Sequence, residues 1–200
     1  MNLLKFHNKI KGYTQNRQPG IEADMEPKPI AELEEYKAAG KLENKVALIT
    51  GGDSGIGRAI AILYAKEGAN VAIGYYDEHQ DAEDTVNRLQ EMGVKAKAYA
   101  HDLKDEKQSQ KLIKDVINDF GSLNILVNNG GVQFPRDHFE DITPQQVKET
   151  FMTNIFGMMF LSQAAVPYLS EGDTIINTTS VTAYRGSGHL IDYSATKGAI

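Results

Sequence analysis

Cysteine is absent, so disulfides and thiolate metal sites are excluded and the redox compartment is left open. His7, His79, His101, His138 and His189 are scattered without metal-ligand spacing, and no metal site is expected. The N-terminal "MNLLKFHNKIKGYTQ" holds only an apolar patch, too short for a signal peptide or a membrane span, so a cytoplasmic protein without a membrane partner is expected. Positive charge is in deficit: the formal net charge of −6 argues against nucleic acid or an anionic membrane as a main partner. Internal repeats are missing too. What is present is an ordinary globular composition with 18 glycines over 200 residues, enough for one domain with a sizeable core.

Residues 1–44 carry Pro19, Pro27 and Pro29 and charges with no lasting apolar period, which predicts an extended arm with one short helix near residues 30–38. Ile21, Met25 and Ile30 recur at intervals and favour an arm packed on the domain, or on a neighbouring subunit, over a disordered tail. Residues 45–200 form the second region. There "VALIT" is a short apolar run suited to a strand buried on both faces. The helix "GIGRAIAILYAKEGA" follows, with Ile60, Leu63 and Tyr64 on one face. The strands "NVAIGYY", "KAKAYAHDL", "NILVNN" and "DTIINTTS" alternate with helices at 80–92, at "DEKQSQKLIKDVINDFG" and at 143–169, and a last helix starts near Ile191. Thr143 is the expected cap of the long helix, with Pro144 in its first position and Gln146 closing a capping box. This alternation predicts an α/β fold, a Rossmann-type doubly wound parallel sheet.

Between the first strand and helix lies "TGGDSGIG", Thr50 to Gly57. A loop entering a helix there offers free backbone N–H groups to an anion, and glycines let a diphosphate approach the backbone. The spacing of Gly51, Gly55 and Gly57 fits neither G-x-G-x-x-G nor a P-loop, and the plainer reading is a tight turn. Near the end, Tyr193 and Lys197 stand four residues apart, on one helix face. A free phenol is a poor base at neutral pH, but an ammonium about 4 Å away favours a phenolate by about 4 kcal/mol at an effective dielectric of about 20. Such a pair can take a proton from an alcohol, or give one to a carbonyl.

"TGGDSGIG", "NNGG" at 128–131, Ser180 and "YSATK" at 193–197 together resemble the short-chain dehydrogenase/reductase family, in its T-G-x-x-x-G-x-G and Y-x-x-x-K branch. The resemblance runs in order from about Lys45 to Ile200, with Ser180 thirteen residues before Tyr193. The arm's "RQPGIEADMEPKP" resembles a bacterial subgroup that includes general-stress proteins. The resemblance implies a catalytic group of Asn154, Ser180, Tyr193 and Lys197, with Asn154 holding a water near Lys197. It implies cofactor contacts at Gly51, Asp53, Ser54, Gly55, Ile56, Gly57, Tyr76, Asp77, Asp102, Leu103, Asn129, Gly130 and Gly131, joined by Tyr193 and Lys197. Thr178 and Thr179 are rival hydroxyls, and only the family interval favours Ser180. Asp102 can equally serve as a helix cap. Gly130 departs from the family's usual alanine.

The cofactor implied is a nicotinamide dinucleotide. An acidic residue after the second strand binds ribose hydroxyls, whereas a 2′-phosphate wants a cation. Asp77 follows Tyr76 there, and Ser54 stands where many NADP enzymes of the family carry Arg or Lys, so NAD is expected. Arg58 is close enough in sequence to leave NADP open. The expected function is an oxidoreductase moving a hydride between that cofactor and a small-molecule carbonyl or secondary alcohol. The alternative is a nucleotide-binding stress or regulatory protein with a relict site. The substrate is unreadable, and Gln133, Phe134, Tyr184 and His189 are the loop candidates for it. The apolar second half of the long helix suggests a homo-oligomer, a tetramer or dimer. The family's domain normally continues past the tyrosine helix, so the C-terminal part of the fold is expected to be missing and the chain to be a fragment of a longer enzyme.

Overall fold

The computed structural model describes residue 15 and residues 17–33 and 35–200. Five parallel strands form one sheet in the order β3-β2-β1-β4-β5: β1 Val46–Thr50, β2 Asn70–Tyr75, β3 Ala96–Ala100, β4 Ile125–Asn128 and β5 Thr174–Asn177. Every residue of β1 is buried, because helices cover both faces of the sheet. Its side chains alternate between two cores. Ala47 and Ile49 face Ala61, Ile62, Ala65, Val71 and Ile73. Val46 and Leu48 face Leu112, Ile113, Val116 and Leu161. The chain reverses its direction of winding between β1 and β4, and a crevice opens there at the carboxyl ends of the strands.

Helices α1 Gly55–Lys66 and α2 His79–Glu91 lie on one side of the sheet, and α3 Glu106–Phe120 on the other. The face of α1 turned inward is the expected one only in part, since Ile60 and Tyr64 pack against the core and Leu63 does not. Gly57, Ala61, Ile62 and Ala65 are buried, whereas Leu63 is exposed and Ile60 and Tyr64 are half-buried. Small side chains allow close helix–strand approach, and the larger apolar ones are left at the flanks. Asp105, not Asp102, caps α3 by accepting from the N–H groups of Lys107 and Gln108.

The predicted long helix is α4 Pro144–Phe151, a π-helical segment Met152–Phe156, α5 Gly157–Ala165 and a 3-10 turn Val166–Tyr168. Thr143 caps it, accepting from Gln146 N–H at 3.1 Å. The capping box does not close. Gln146 instead donates to the Phe134 carbonyl and to Asp192. After β5 come α6 Thr182–Arg185 and α7 Ile191–Ala199.

The described arm residues pack on the domain through polar groups rather than the apolar intervals. Met25 and Ile30 are exposed, and Ile21 is half-buried. Glu22 is 6% exposed and takes N–H from Gly55 at 2.6 Å and Arg58 Nη1 at 2.7 Å. No helix occurs among the described residues of 30–38; the arm's regular turn is 3-10, at Glu22–Asp24. Glu32 reaches Lys66 and Arg88, and Tyr36 donates to Glu67, so this stretch is held by sideways ties instead of its own ladder.

Candidate active site

A cleft of about 1100 Å³ runs along the carboxyl ends of all five strands. Its floor is the glycine loop. Gly51 and Gly55 have φ of 61° and 53°, a region that disfavours side chains. A Cβ on Gly57 would lie 1.8 Å from the Gly51 carbonyl oxygen, so the loop closes only with glycine there. The Thr50 hydroxyl accepts from Asn129 and Gly130 N–H, each at 3.0 Å, and Asn129 Nδ2 donates to the Thr50 carbonyl at 3.1 Å. These bonds stitch the ends of β1 and β4 together. Gly51, Asp53, Ser54, Gly55, Ile56, Tyr76, Asp102, Leu103, Asn129, Gly130 and Gly131 line the cleft. Gly57 and Asp77 do not: Gly57 supports the loop from behind, and Asp77 turns to an ion pair. Burial pushes the Asp53 carboxyl above the ordinary range.

Ser180, Tyr193 and Lys197 line the same cleft, from the end of β5 and from α7. Lys197 is only 5% exposed; its Nζ donates to the Thr178 carbonyl at 2.7 Å and lies 5.6 Å from the centroid of the Tyr193 ring. Burial pushes its amine below the ordinary lysine value. The rival hydroxyls are engaged elsewhere. Thr179 donates to the Lys197 carbonyl at 2.7 Å, fixing α7 to the end of β5. Thr178 turns to Asn129 at 3.4 Å. Ser180 Oγ accepts from Thr182 N–H and Thr182 Oγ1. Asn154 stands behind the wall, in the π-helical segment. Its amide brackets Val132, accepting from N–H at 2.8 Å and donating to the carbonyl at 2.9 Å, and it donates to Thr196 at 3.1 Å. Gln133 and Phe134 border the cleft, but Tyr184 and His189 do not. Tyr184 is 87% exposed, and His189 contacts the Arg136 carbonyl on the surface.

Three features were not legible in the sequence. The first is a buried anchor: Asp192 Oδ2 accepts from Thr150 at 2.7 Å and Gln146 at 3.1 Å, tying α7 to α4 one residue before Tyr193. Asp192→Ala removes a buried charged acceptor and leaves Thr150 only the Gln146 carbonyl and Gln146 only the Phe134 carbonyl, and a loss of roughly 1–3 kcal/mol in urea unfolding is expected. An unchanged midpoint would rule out this anchor. The second is His101, buried with both ring nitrogens unpaired and packed against Gly74 at the cleft's edge. Burial pushes its ring below the ordinary histidine value. The third is the arm itself, because Gln15, Arg17, Gln18 and Pro19 line the cleft beside Tyr76 and Glu78. Arg17 pairs with Asp77 at 2.5 Å and Glu78 at 2.8 Å. Burial, then the neighbouring Asp77, pushes Glu78 up to about 7, whereas bonds from Glu78 and Arg17 hold Asp77 down. Asp77 is thus the more acidic of the two carboxyls beside Arg17.

Among the described residues no cluster of metal-binding side chains occurs, and no helix is long and apolar enough to cross a membrane. Residues 45–200 match the family model described as short chain dehydrogenase. The chain is 49% identical over 198 residues to General stress protein 39 of Bacillus subtilis, covering 99% of this chain and 69% of that protein. It is 42% identical over 192 residues to NADPH-dependent aldehyde reductase 1 of Arabidopsis thaliana, covering 93% of this chain and 67% of that one. A crystal structure of a short-chain dehydrogenase from Burkholderia cenocepacia, in complex with NADP, superposes with a TM-score of 0.77 at 36% identity, covering 80% of this chain and 65% of that chain. The chain therefore spans about two thirds of the length of these relatives.

Proposed function

Because the chain belongs to the short-chain dehydrogenase family, we propose that it transfers a hydride between a nicotinamide dinucleotide and a small carbonyl compound or secondary alcohol. The observation that carries this reading is one cleft with a glycine cradle at its floor and Ser180, Tyr193 and Lys197 on its wall. The cradle fits a diphosphate: side chains are excluded at Gly51 and Gly57, and Ser54 and Ile56 border the cleft at the entrance of α1, where Glu22 holds the Gly55 N–H in place. Gly51, Ser54 and Ile56 would hold the diphosphate, with Gly55 shaping the turn between them, Tyr76 would hold the adenosine ribose, and Asp102 and Leu103 the adenine. Asn129, Gly130 and Gly131 would flank the nicotinamide half. When bound, the nicotinamide supplies or accepts the hydride.

The chain's own residues handle the proton and the oxygen. Ser180 donates a hydrogen bond to the substrate oxygen, where negative charge grows during reduction. Tyr193 gives its phenolic proton to that oxygen, so a C–H and an O–H bond form as the C=O π bond is lost. In oxidation Tyr193 takes the proton back. The Lys197 ammonium, held by the Thr178 carbonyl, stabilises the phenolate left behind. Asn154 is a positioning residue, since its amide is committed to the Val132 loop and Thr196. The aldehyde reductase among the relatives supports an aldehyde as the first substrate class to try.

The test is cofactor binding together with turnover on a panel of aldehydes. Binding of neither NADH nor NADPH would sink the reading. We further propose a homo-oligomer joined through the outer side of the π-helical segment and α5, where Phe156 and Met159 are exposed. Sedimentation is expected to give a dimer or tetramer, and a monomer contradicts it.

A further inference from the structure

The sequence offers no cation after β2, yet the folded chain places one there. Arg17 comes from the arm, 60 residues before its partner Asp77. Its segment is a small closed loop. Gln15 Nε2 donates to the Ile21 carbonyl at 2.8 Å, and Ile21 N–H donates to Gln15 Oε1 at 2.7 Å, and Arg17, Gln18 and Pro19 line the cleft. The base of that loop is pinned next to the glycine loop. Glu22 takes the Gly55 N–H, and Asp81 takes the N–H groups of Glu22 and Ala23 at 2.7 and 3.1 Å. Arg17 therefore stands at the cleft wall with Ser54, Tyr76 and Glu78. Its Nε is spent on the Pro19 carbonyl and its Nη2 on Asp77 and Glu78.

At this position a dinucleotide site distinguishes its two cofactors. A carboxylate binds the ribose hydroxyls of NAD, and a guanidinium accommodates the 2′-phosphate of NADP. Asp77 alone would repel that phosphate, but Arg17 neutralises it and carries further donors in a planar fork suited to phosphate oxygens. We infer that the arm's Arg17 is a cofactor-specificity residue, and that the Arg17–Asp77 pair, not β2 alone, sets how well the site accepts a 2′-phosphate. The inference rests on the reading of the cleft as a nicotinamide dinucleotide site. It assigns the arm a role in recognition: the pair admits NADPH, and removing either partner tips the balance in opposite directions.

Fluorescence titration of the protein with NADPH and NADH tests this, on the parent, Arg17→Ala and Asp77→Asn. Arg17→Ala is expected to weaken NADPH by about tenfold or more, with NADH changed by less than about threefold. Asp77→Asn is expected to tighten NADPH relative to NADH. The NADPH affinity of the parent should also fall more steeply with salt than that of Arg17→Ala. Equal weakening of both cofactors by Arg17→Ala overturns the inference and leaves Arg17 as an anchor of the arm. A shift of Arg17→Ala toward NADPH overturns it as well. A parent that binds neither cofactor fails earlier, at the dinucleotide reading itself, and is told apart because no variant is needed to see it.

Discussion

Tyr193→Phe is expected to lower turnover by about 10²–10⁴-fold while leaving cofactor affinity within about threefold. The substitution removes one oxygen and keeps the ring. Packing of α7 is preserved: Lys197 still lies over the ring and still donates to the Thr178 carbonyl, and Thr179 still holds the Lys197 carbonyl. Binding at the glycine loop and at the end of β2 does not involve the phenol. In the proposed mechanism, what is lost is the proton that goes to the substrate oxygen as the hydride arrives. Steady-state turnover and a cofactor titration on the same preparation check both halves. A parallel fall in turnover and binding would mean that Tyr193 acts through structure instead.

Gly57→Ala carries the second large effect. Its methyl group would lie 1.8 Å from the Gly51 oxygen, 2.6 Å from the Gly51 carbonyl carbon and 2.8 Å from Asn129 Nδ2. Two of these three neighbours are backbone, so no side-chain rotation relieves the clash. Either α1 backs away from β1 or the loop opens. The first opens a gap beneath Ala61 and Ala65, and the second displaces the glycine-loop backbone that lines the cleft. Overpacking of this kind costs roughly 1–3 kcal/mol or more. Cofactor affinity is expected to fall by at least about tenfold, which corresponds to about 1.4 kcal/mol. Gly188→Ala is the control, since a Cβ there meets nothing within 4 Å; it should leave both quantities unchanged. Normal binding by Gly57→Ala would contradict the geometry of the cradle.

The sheet was readable because burial on both faces writes itself as runs such as "VALIT", and Tyr193 and Lys197 because helical spacing puts them on one face. The inward face of α1 was readable only in part: Ile60 and Tyr64 do pack against the core, but the most buried positions are Gly57, Ala61, Ile62 and Ala65, three of them small. In the sequence only the family interval favours Ser180 over Thr178 and Thr179; in the fold each of the three hydroxyls has a different partner. Asp192 and its donors lie 42 and 46 residues apart, and no local pattern predicts such a bond. Arg17 illustrates the same limit with more consequence. The expectation of NAD rested on finding no cation near Asp77, and the cation came from the arm. The arm's hold on the glycine loop through Glu22 was equally hidden, since a carboxylate among other charges carries no periodic signal.

The central claim is that this cleft moves a hydride from the nicotinamide to a carbonyl carbon with Tyr193 supplying the proton. Reduction of an aldehyde by the protein with NADH and NADPH carrying deuterium on the transferring face of the nicotinamide tests it most directly, read by mass spectrometry of the alcohol. The expected result is deuterium on the former carbonyl carbon, with product formation lost in Tyr193→Phe. Unlabelled alcohol, or labelled alcohol formed equally fast by Tyr193→Phe, would contradict the claim.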